Sequence, residues 1–304
     1  MSKTKIQNLE KKRKLSSIIA KNISGWMLIL PSLLLFVIIV WRPIVMAFCY
    51  SFFKLQGMRP VEFAGLQNFK DVLTDSAFLQ TMLNTLQYVG WSLIIGFPMA
   101  FLTAVMLNEM ICFKGSFKFI MYLPVIIPGV AVCLIWKMMY LDGSSGLLNS
   151  LLYYIGMEPQ NWLSNKDLTI LLIIISMTWQ SFGSNMLLYL ATLQSADQSL
   201  YEAARIDGAG FWRRFWHVLL PHMRGLMLLL VIRQIIGVFQ ITEQPMVMTG
   251  GGPNGASMSL GLTNYYYAFQ YGQFDKSMAL GVISFLLLLV LTYVYFKLER
   301  KFNE

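Results

Sequence analysis

The sequence predicts an all-α integral membrane protein with six transmembrane helices. Three observations carry this. Of 304 residues, 56% are hydrophobic and only 13% charged, against roughly 25% charged in an average globular chain. The mean hydropathy is +0.57. The apolar residues are gathered into uncharged runs at Ser24–Trp41, Ser76–Asn108, Phe119–Trp136, Leu168–Ala196 and Ser277–Phe296, and a sixth run, Gly225–Thr242, holds only Arg233. Each run is close to the ~20 residues a helix needs to cross a bilayer, and helices are expected because lipid offers no partner for backbone groups. The expected spans lie near 24–48, 82–108, 118–140, 168–192, 223–243 and 277–298, within a six-helix membrane domain of residues 24–298.

The elements follow in order. Residues 1–23 form a basic tail with Lys11, Lys12, Arg13, Lys14 and Lys21. It resembles the start of a signal peptide, but the apolar run is too long and ends in Trp41-Arg42-Pro43 without a cleavage site. The run therefore reads as an uncleaved first span and the tail as an orientation signal, not a nucleic-acid-binding arm. The connection from Ser51 to Thr81 scatters apolar residues among charges, which suits short surface helices at Asn68–Leu73 and Phe78–Leu83. The third span carries Pro124 and Pro128, which bend a helix or border a cavity. The Tyr140–Asp167 connection and the glycine-rich Thr249–Gly255 have turn chemistry. The latter is no phosphate loop, because it lacks the closing Lys-Ser/Thr. Residues 299–304 form a short tail.

Charge bias orients the chain. Sixteen Lys/Arg lie on the side holding both termini and the loop after the fourth span, and five on the other. By the positive-inside rule the termini and that loop are cytoplasmic, so the net charge of +9 requires no acidic ligand. Cys49, Cys112 and Cys133 have no metal-ligand spacing and read as small apolar fillers. His217 and His222 read as interfacial helix residues, and no catalytic set or metal cluster is evident.

The loop at 197–221 is unusual. Tyr201–Pro221 reads YEAARIDGAGFWRRFWHVLLP. Glu202-Ala203-Ala204-Arg205 favours helix, and two alanines let another surface approach closely. Gly208 allows a sharp turn or tight packing. Phe211, Trp212, Phe215 and Trp216 then add apolar area between Arg213 and Arg214. A helix, a turn and a second helix entering the membrane would form a lever for a soluble partner. The alternative is an amphipathic helix on lipid headgroups, which accounts for Phe211–Trp216 but not for Glu202 and Asp207.

The spacing Glu202-Ala203-Ala204, three residues, Gly208, nine residues, Val218-Leu219-Leu220-Pro221 resembles the EAA motif of ABC importer permeases, with Val218 in place of isoleucine. Asp207-Gly208-Ala209, Gly65-Leu66-Gln67-Asn68-Phe69, Asn84-Thr85-Leu86, Gly146-Leu147-Leu148-Asn149 and Thr249-Gly250-Gly251-Gly252-Pro253 are similar to the sugar-importer branch. The resemblance implies a type I ABC importer permease fold in a bacterial plasma membrane. It implies one of two permease subunits of a carbohydrate importer, served by an extracytoplasmic solute-binding protein and two ATPase subunits. The chain itself would bind no cofactor; ATP and Mg would sit on the ATPase. Coupling to the ATPase would fall to Glu202, Ala203, Ala204, Asp207, Gly208, Ala209, Leu220 and Pro221, with Glu202 as charged anchor.

Polar groups inside spans are costly and mark cavities or helix contacts. Trp179, Asn185, Gln234, Gln240 and Glu243 have the amide, carboxylate and aromatic chemistry that holds sugars and are candidate pathway residues. Alternatively, Arg233 and Glu243 pair with each other or with a partner subunit, and Asn185 joins helices. Three rivals remain: a permease of the same architecture for another solute, a secondary carrier, which would show repeats and a mid-membrane coupling carboxylate, and a membrane-embedded enzyme, for which no catalytic set is evident.

Overall fold

The computed structural model describes residues 25–195, 204, 206 and 208–303. Five helices are long and apolar enough to cross a membrane: α1 (Gly25–Tyr50), α3 (Phe78–Glu109), α7 (Thr169–Ser195), α8 (Leu220–Phe239) and α11 (Phe274–Asn303). A sixth crossing is broken. The helices α4 (Lys114–Ile126) and α5 (Gly129–Met139) meet at 96°. The cause is local. Ile127 precedes Pro128 and is extended (ψ 133°), as a residue before proline prefers. Pro124, by contrast, stays inside α4.

The other prolines are absorbed without a break. Five-residue π turns at Val37–Trp41, Ser92–Gly96 and Phe215–Leu219 each end two residues before a proline, Pro43, Pro98 and Pro221. A proline ring displaces the carbonyl four residues earlier, and one wider turn gives it room. Pro221 therefore does not open a separate helix: it sits in the first turn of α8, which continues from the turns at Phe211–Arg214 and Phe215–Leu219.

Several expected bounds shift. The first span runs past Pro43 to Tyr50, and the fifth ends at Phe239 rather than 243. Phe78–Leu83 is no surface helix; it is the start of α3. The long connection before it contains an antiparallel hairpin, β1 (Phe53–Gln56) with β2 (Arg59–Phe63), followed by the expected short helix, α2 (Gln67–Leu73). α6 is Leu147–Tyr154, α9 is Glu243–Thr249 and α10 is Leu260–Tyr265.

Buried apolar clusters lie at both ends of the helix bundle. At one end Phe101, Ala104, Met186, Tyr189, Phe215 and Met223 pack together beside Met110. At the other, Tyr88, Tyr140, Ile173 and Met248 form one cluster, and Val72, Phe239, Leu260 and Tyr267 another. α1 has no buried residue and so presents its apolar circumference outward.

Three buried asparagine amides hold the connections at the second end. Asn68 Nδ2 donates to the carbonyls of Ser51 and Phe53, both at 2.9 Å. Asn149 Nδ2 donates to Gln160 O, and its Oδ1 accepts from Gln160 N and Trp162 Nε1. Asn84 Nδ2 donates to Gly255 O at 2.8 Å and Met258 O at 3.0 Å. Thr85 Oγ1 accepts from Leu260 N, and Tyr88 Oη donates to Ser257 O. Beside them Tyr267 Oη donates to Asp75 Oδ2 at 2.9 Å. Burial first, and then Asp75, push that phenol well above its ordinary range, so it remains the donor. An unsatisfied buried carbonyl costs roughly 1–3 kcal/mol. Asn84→Leu strands the Met258 carbonyl, while Gly255 O keeps its bond from Met258 N, so it is expected to lower stability by about 1–3 kcal/mol, seen as a depressed melting midpoint of the detergent-solubilised protein. An unchanged midpoint would show that these bonds are replaced by water.

Candidate coupling loop and transport cleft

The loop between α7 and α8 closes in a way its residue types dictate. Ala209 N–H donates to Ala204 O at 2.9 Å, and Gly208 between them has φ +74°. A bond reaching back five residues around a left-handed residue is the Schellman closure of a helix. L-residues with a side chain resist that conformation by about 1–2 kcal/mol. A Cβ at Gly208 would meet only open space in this chain. Glycine is thus required for the turn, not for packing within the subunit. Ile206, in the last helical turn, is 86% exposed. Glu202, Ala203 and Asp207 lie outside the described residues.

The second arm of the loop is anchored in the bundle. Phe215 is 7% exposed, and Leu219 and Met223 are buried with it. Its ring lies 5.8 Å from that of Phe101, which lies 5.4 Å from Tyr189. One aromatic thus joins the arm to both α3 and α7. Leu220 and Pro221 carry it into α8 without a gap. Phe215 is therefore a core residue and not a lipid anchor, whereas Trp216 is exposed. Force applied at Ala204–Gly208 would pass across the turn at Gly208–Gly210 into the helix that starts at Phe211 and runs on into α8.

The candidate pathway residues separate into distinct places. Asn185 and Gln234 share a cleft of about 140 Å³ with Ser181, Ser184 and Arg233. Gln234 sits over Gly96 in the π turn of α3, with Thr178 beside it. Gln240 lines a different cleft, of about 350 Å³, with Thr242, Asn264 and Ser284. Trp179 stands edge-on to Trp136, with ring centres 5.9 Å apart. Glu243 lies at the start of α9 with its carboxylate over Gly129, the first residue of α5, where a Cβ would collide with it. Arg233 and Glu243 do not pair. Lys54 and Glu62 form an ion pair at 3.0 Å on the hairpin.

Residue patterns had not singled out two further features of the broken span. Gln180 Nε2 donates to the Ile127 carbonyl at 3.2 Å, holding the break from the α7 side. A Cβ at Gly183 would overlap the Met121 carbonyl, so α4 and α7 touch backbone to backbone there.

Residues 93–303 match the family of binding-protein-dependent transport system inner membrane components. The chain is similar to the arabinooligosaccharides transport system permease protein AraP of Bacillus subtilis, 30% identical over 93% of this chain and 91% of that one. It is 31% identical to the trehalose/maltose transport system permease protein MalF of Thermococcus litoralis, over 91% and 93% of the two chains. A chain of the crystal structure of a bacterial ABC transporter involved in import of the acidic polysaccharide alginate superposes with a TM-score of 0.85 at 23% identity, covering 96% of this chain and 100% of that one.

Proposed function

Because the chain belongs to the family of binding-protein-dependent transport system inner membrane components, we propose that it forms half of the translocation pathway of an ATP-driven importer for a sugar or oligosaccharide. It is embedded in the membrane and is a transport subunit, not an enzyme. The reading of its cargo is supported by relatives named for arabinooligosaccharides and for trehalose/maltose. The names do not agree on one sugar.

The remaining parts are supplied by other chains: a second permease, two ATPase subunits carrying ATP and Mg, and an extracytoplasmic solute-binding protein. Charge bias supports cytoplasmic termini and a cytoplasmic 197–221 loop. The observation that carries the mechanism is the Schellman-closed helix end at Ala204–Ala209, joined by a short turn to the arm at Phe211, which is buried at Phe215 and runs into α8. A side chain at Gly208 would meet open space among the described residues, and the arm behind it is anchored by buried Phe215 and Leu219. Closure of an ATPase dimer on Glu202–Gly208 would move α8, on which Gln234 stands, against α3 and α7. Gln234 and Asn185 are the residues proposed to touch sugar hydroxyls, with Trp179, Gln240 and Glu243 further along the route.

The test is uptake into proteoliposomes carrying both permeases and the ATPase, with the binding protein added outside and ATP inside. Accumulation of a labelled saccharide that needs all four components is expected. Accumulation only of a non-carbohydrate solute would point to the same architecture serving another cargo. Accumulation driven by an ion gradient without ATP would point to a secondary carrier.

A further inference from the structure

Arg233 is the one basic residue inside the fifth apolar run. It is the fourteenth residue of α8, roughly 20 Å along the helix from Leu220 at 1.5 Å per residue. It is exposed within this chain and lines the cleft that holds Asn185 and Gln234. No carboxylate among the described residues lies within ion-pairing distance of it. Glu243, the acidic residue closest to it in sequence, is turned instead onto Gly129 of α5.

The cleft around Arg233 offers it nothing negative. Its other polar members are the Asn185 and Gln234 amides and the Ser181 and Ser184 hydroxyls, and Ser184 Oγ is already donating to Ser181 O at 2.8 Å. Neither amide nor the guanidinium has a hydrogen-bond partner among the described residues. A guanidinium has five N–H donors, no acceptor, and keeps its charge. Inside a membrane such a group is costly, and it is found where it meets a pathway or an opposite charge. A neutral sugar presents hydroxyls, which two amides suffice to bind. The partner that matches a planar cationic fork is a carboxylate, held by two parallel hydrogen bonds.

Resting on the carbohydrate-importer reading, we infer that this cleft selects an anionic saccharide, an oligosaccharide carrying uronic-acid carboxylates, and that Arg233 is the residue that reads its charge. Asn185 and Gln234 then bind the hydroxyls beside the carboxylate. The guanidinium is neutralised by the cargo itself as it passes, which accounts for a cleft with no counter-ion among the described residues.

The experiment uses the complete importer in proteoliposomes with its binding protein, and two labelled probes of equal length, trigalacturonate and maltotriose. Wild type is expected to take up trigalacturonate at least about tenfold faster, since a charged hydrogen bond is commonly worth that factor. Arg233→Gln is expected to lower trigalacturonate uptake by a similar factor, and Arg233→Lys to retain a measurable part of it, with assembly of each variant checked by co-purification. Because the binding protein is the same in every case, a change in preference reports on the cleft. Equal uptake of both probes by wild type overturns the inference and leaves the importer reading standing. So does wild-type uptake by Arg233→Gln, or an equal loss in Arg233→Gln and Arg233→Lys, which would assign Arg233 to a contact with the second permease. If neither probe nor any other saccharide drives uptake or stimulates ATP hydrolysis, the importer reading itself fails.

Discussion

Gly208→Val is expected to reduce substrate-stimulated ATP hydrolysis and uptake by roughly tenfold or more. Gly208 closes the loop helix with φ +74°, and that turn separates the helix end from the arm that begins at Phe211. A non-glycine residue there costs about 1–2 kcal/mol, and a β-branched one is a still stronger outlier. The cost falls on a short, exposed helix end and not on the bundle, so the complex should still assemble. What is lost is the presentation of Ala204 and Ile206 to the ATPase. Gly208→Asn makes the argument specific, because asparagine visits the left-handed region with less penalty. It is expected to keep much of the activity. Valine and asparagine variants that are equally inactive would locate the requirement in space at the ATPase interface. Two fully active variants would remove Gly208 from coupling altogether. On the proposed coupling role, in which Glu202 pairs with a basic group of the ATPase, Glu202→Ala is expected to match the valine variant, because removing one partner of such a pair leaves the other charge uncompensated.

The second large effect concerns the bundle itself. Gly183→Leu is expected to cost several kcal/mol and to abolish a detergent-stable complex. At that point α7 lies directly on the backbone of α4, where a single Cβ would overlap the Met121 carbonyl. Overpacking a close contact commonly costs about 1–3 kcal/mol, and here the obstacle is backbone, which cannot rotate aside. The helices must part, and Gln180, nearly one turn earlier on α7, would lose its bond to Ile127 at the break. A leucine variant that melts at the wild-type temperature and transports would mean that the two helices are not in contact in the working protein.

Most of the bundle was legible in the chain because lipid imposes one rule on every span. Long uncharged runs marked α1, α3, α7 and α11 within several residues, and a run interrupted only by Arg233 marked α8. Proline positions were visible, but their effects were not. Pro128 breaks a span because Ile127 before it turns extended, whereas Pro43, Pro98 and Pro221 are taken up by π turns. That choice depends on what packs beside the helix, which a lone residue type does not encode. The β1–β2 hairpin was missed for a similar reason. Its Gly57-Met58 turn lies between short stretches without clean alternation, and its register carries an irregularity at Lys54/Leu55.

The site was legible unevenly. The EAA-like spacing located the loop, and the closure around Gly208 agrees with what a glycine at that position implies. The polar residues of the spans could be named but not grouped. Asn185 on α7 and Gln234 on α8 meet in one cleft, while Gln240 and Glu243, close to Gln234 in sequence, lie elsewhere. The reason is the end of α8 at Phe239, beyond which helical periodicity no longer relates one side chain to the next. Asn68, Asn84 and Asn149, in stretches similar to sugar-importer permeases, are pins for loops rather than ligands for cargo.

The central claim is that a nucleotide-hydrolysing partner grips the Ala204–Gly208 helix end. The most direct measurement places a photo-cross-linking amino acid at Ile206, exposed at that end, in the fully assembled importer within membranes. A cross-link to the ATPase subunit whose yield changes when ATP is bound is the expected result. Cross-links confined to lipid, or labelling of position 206 by a membrane-impermeant reagent added to intact cells, would contradict the account.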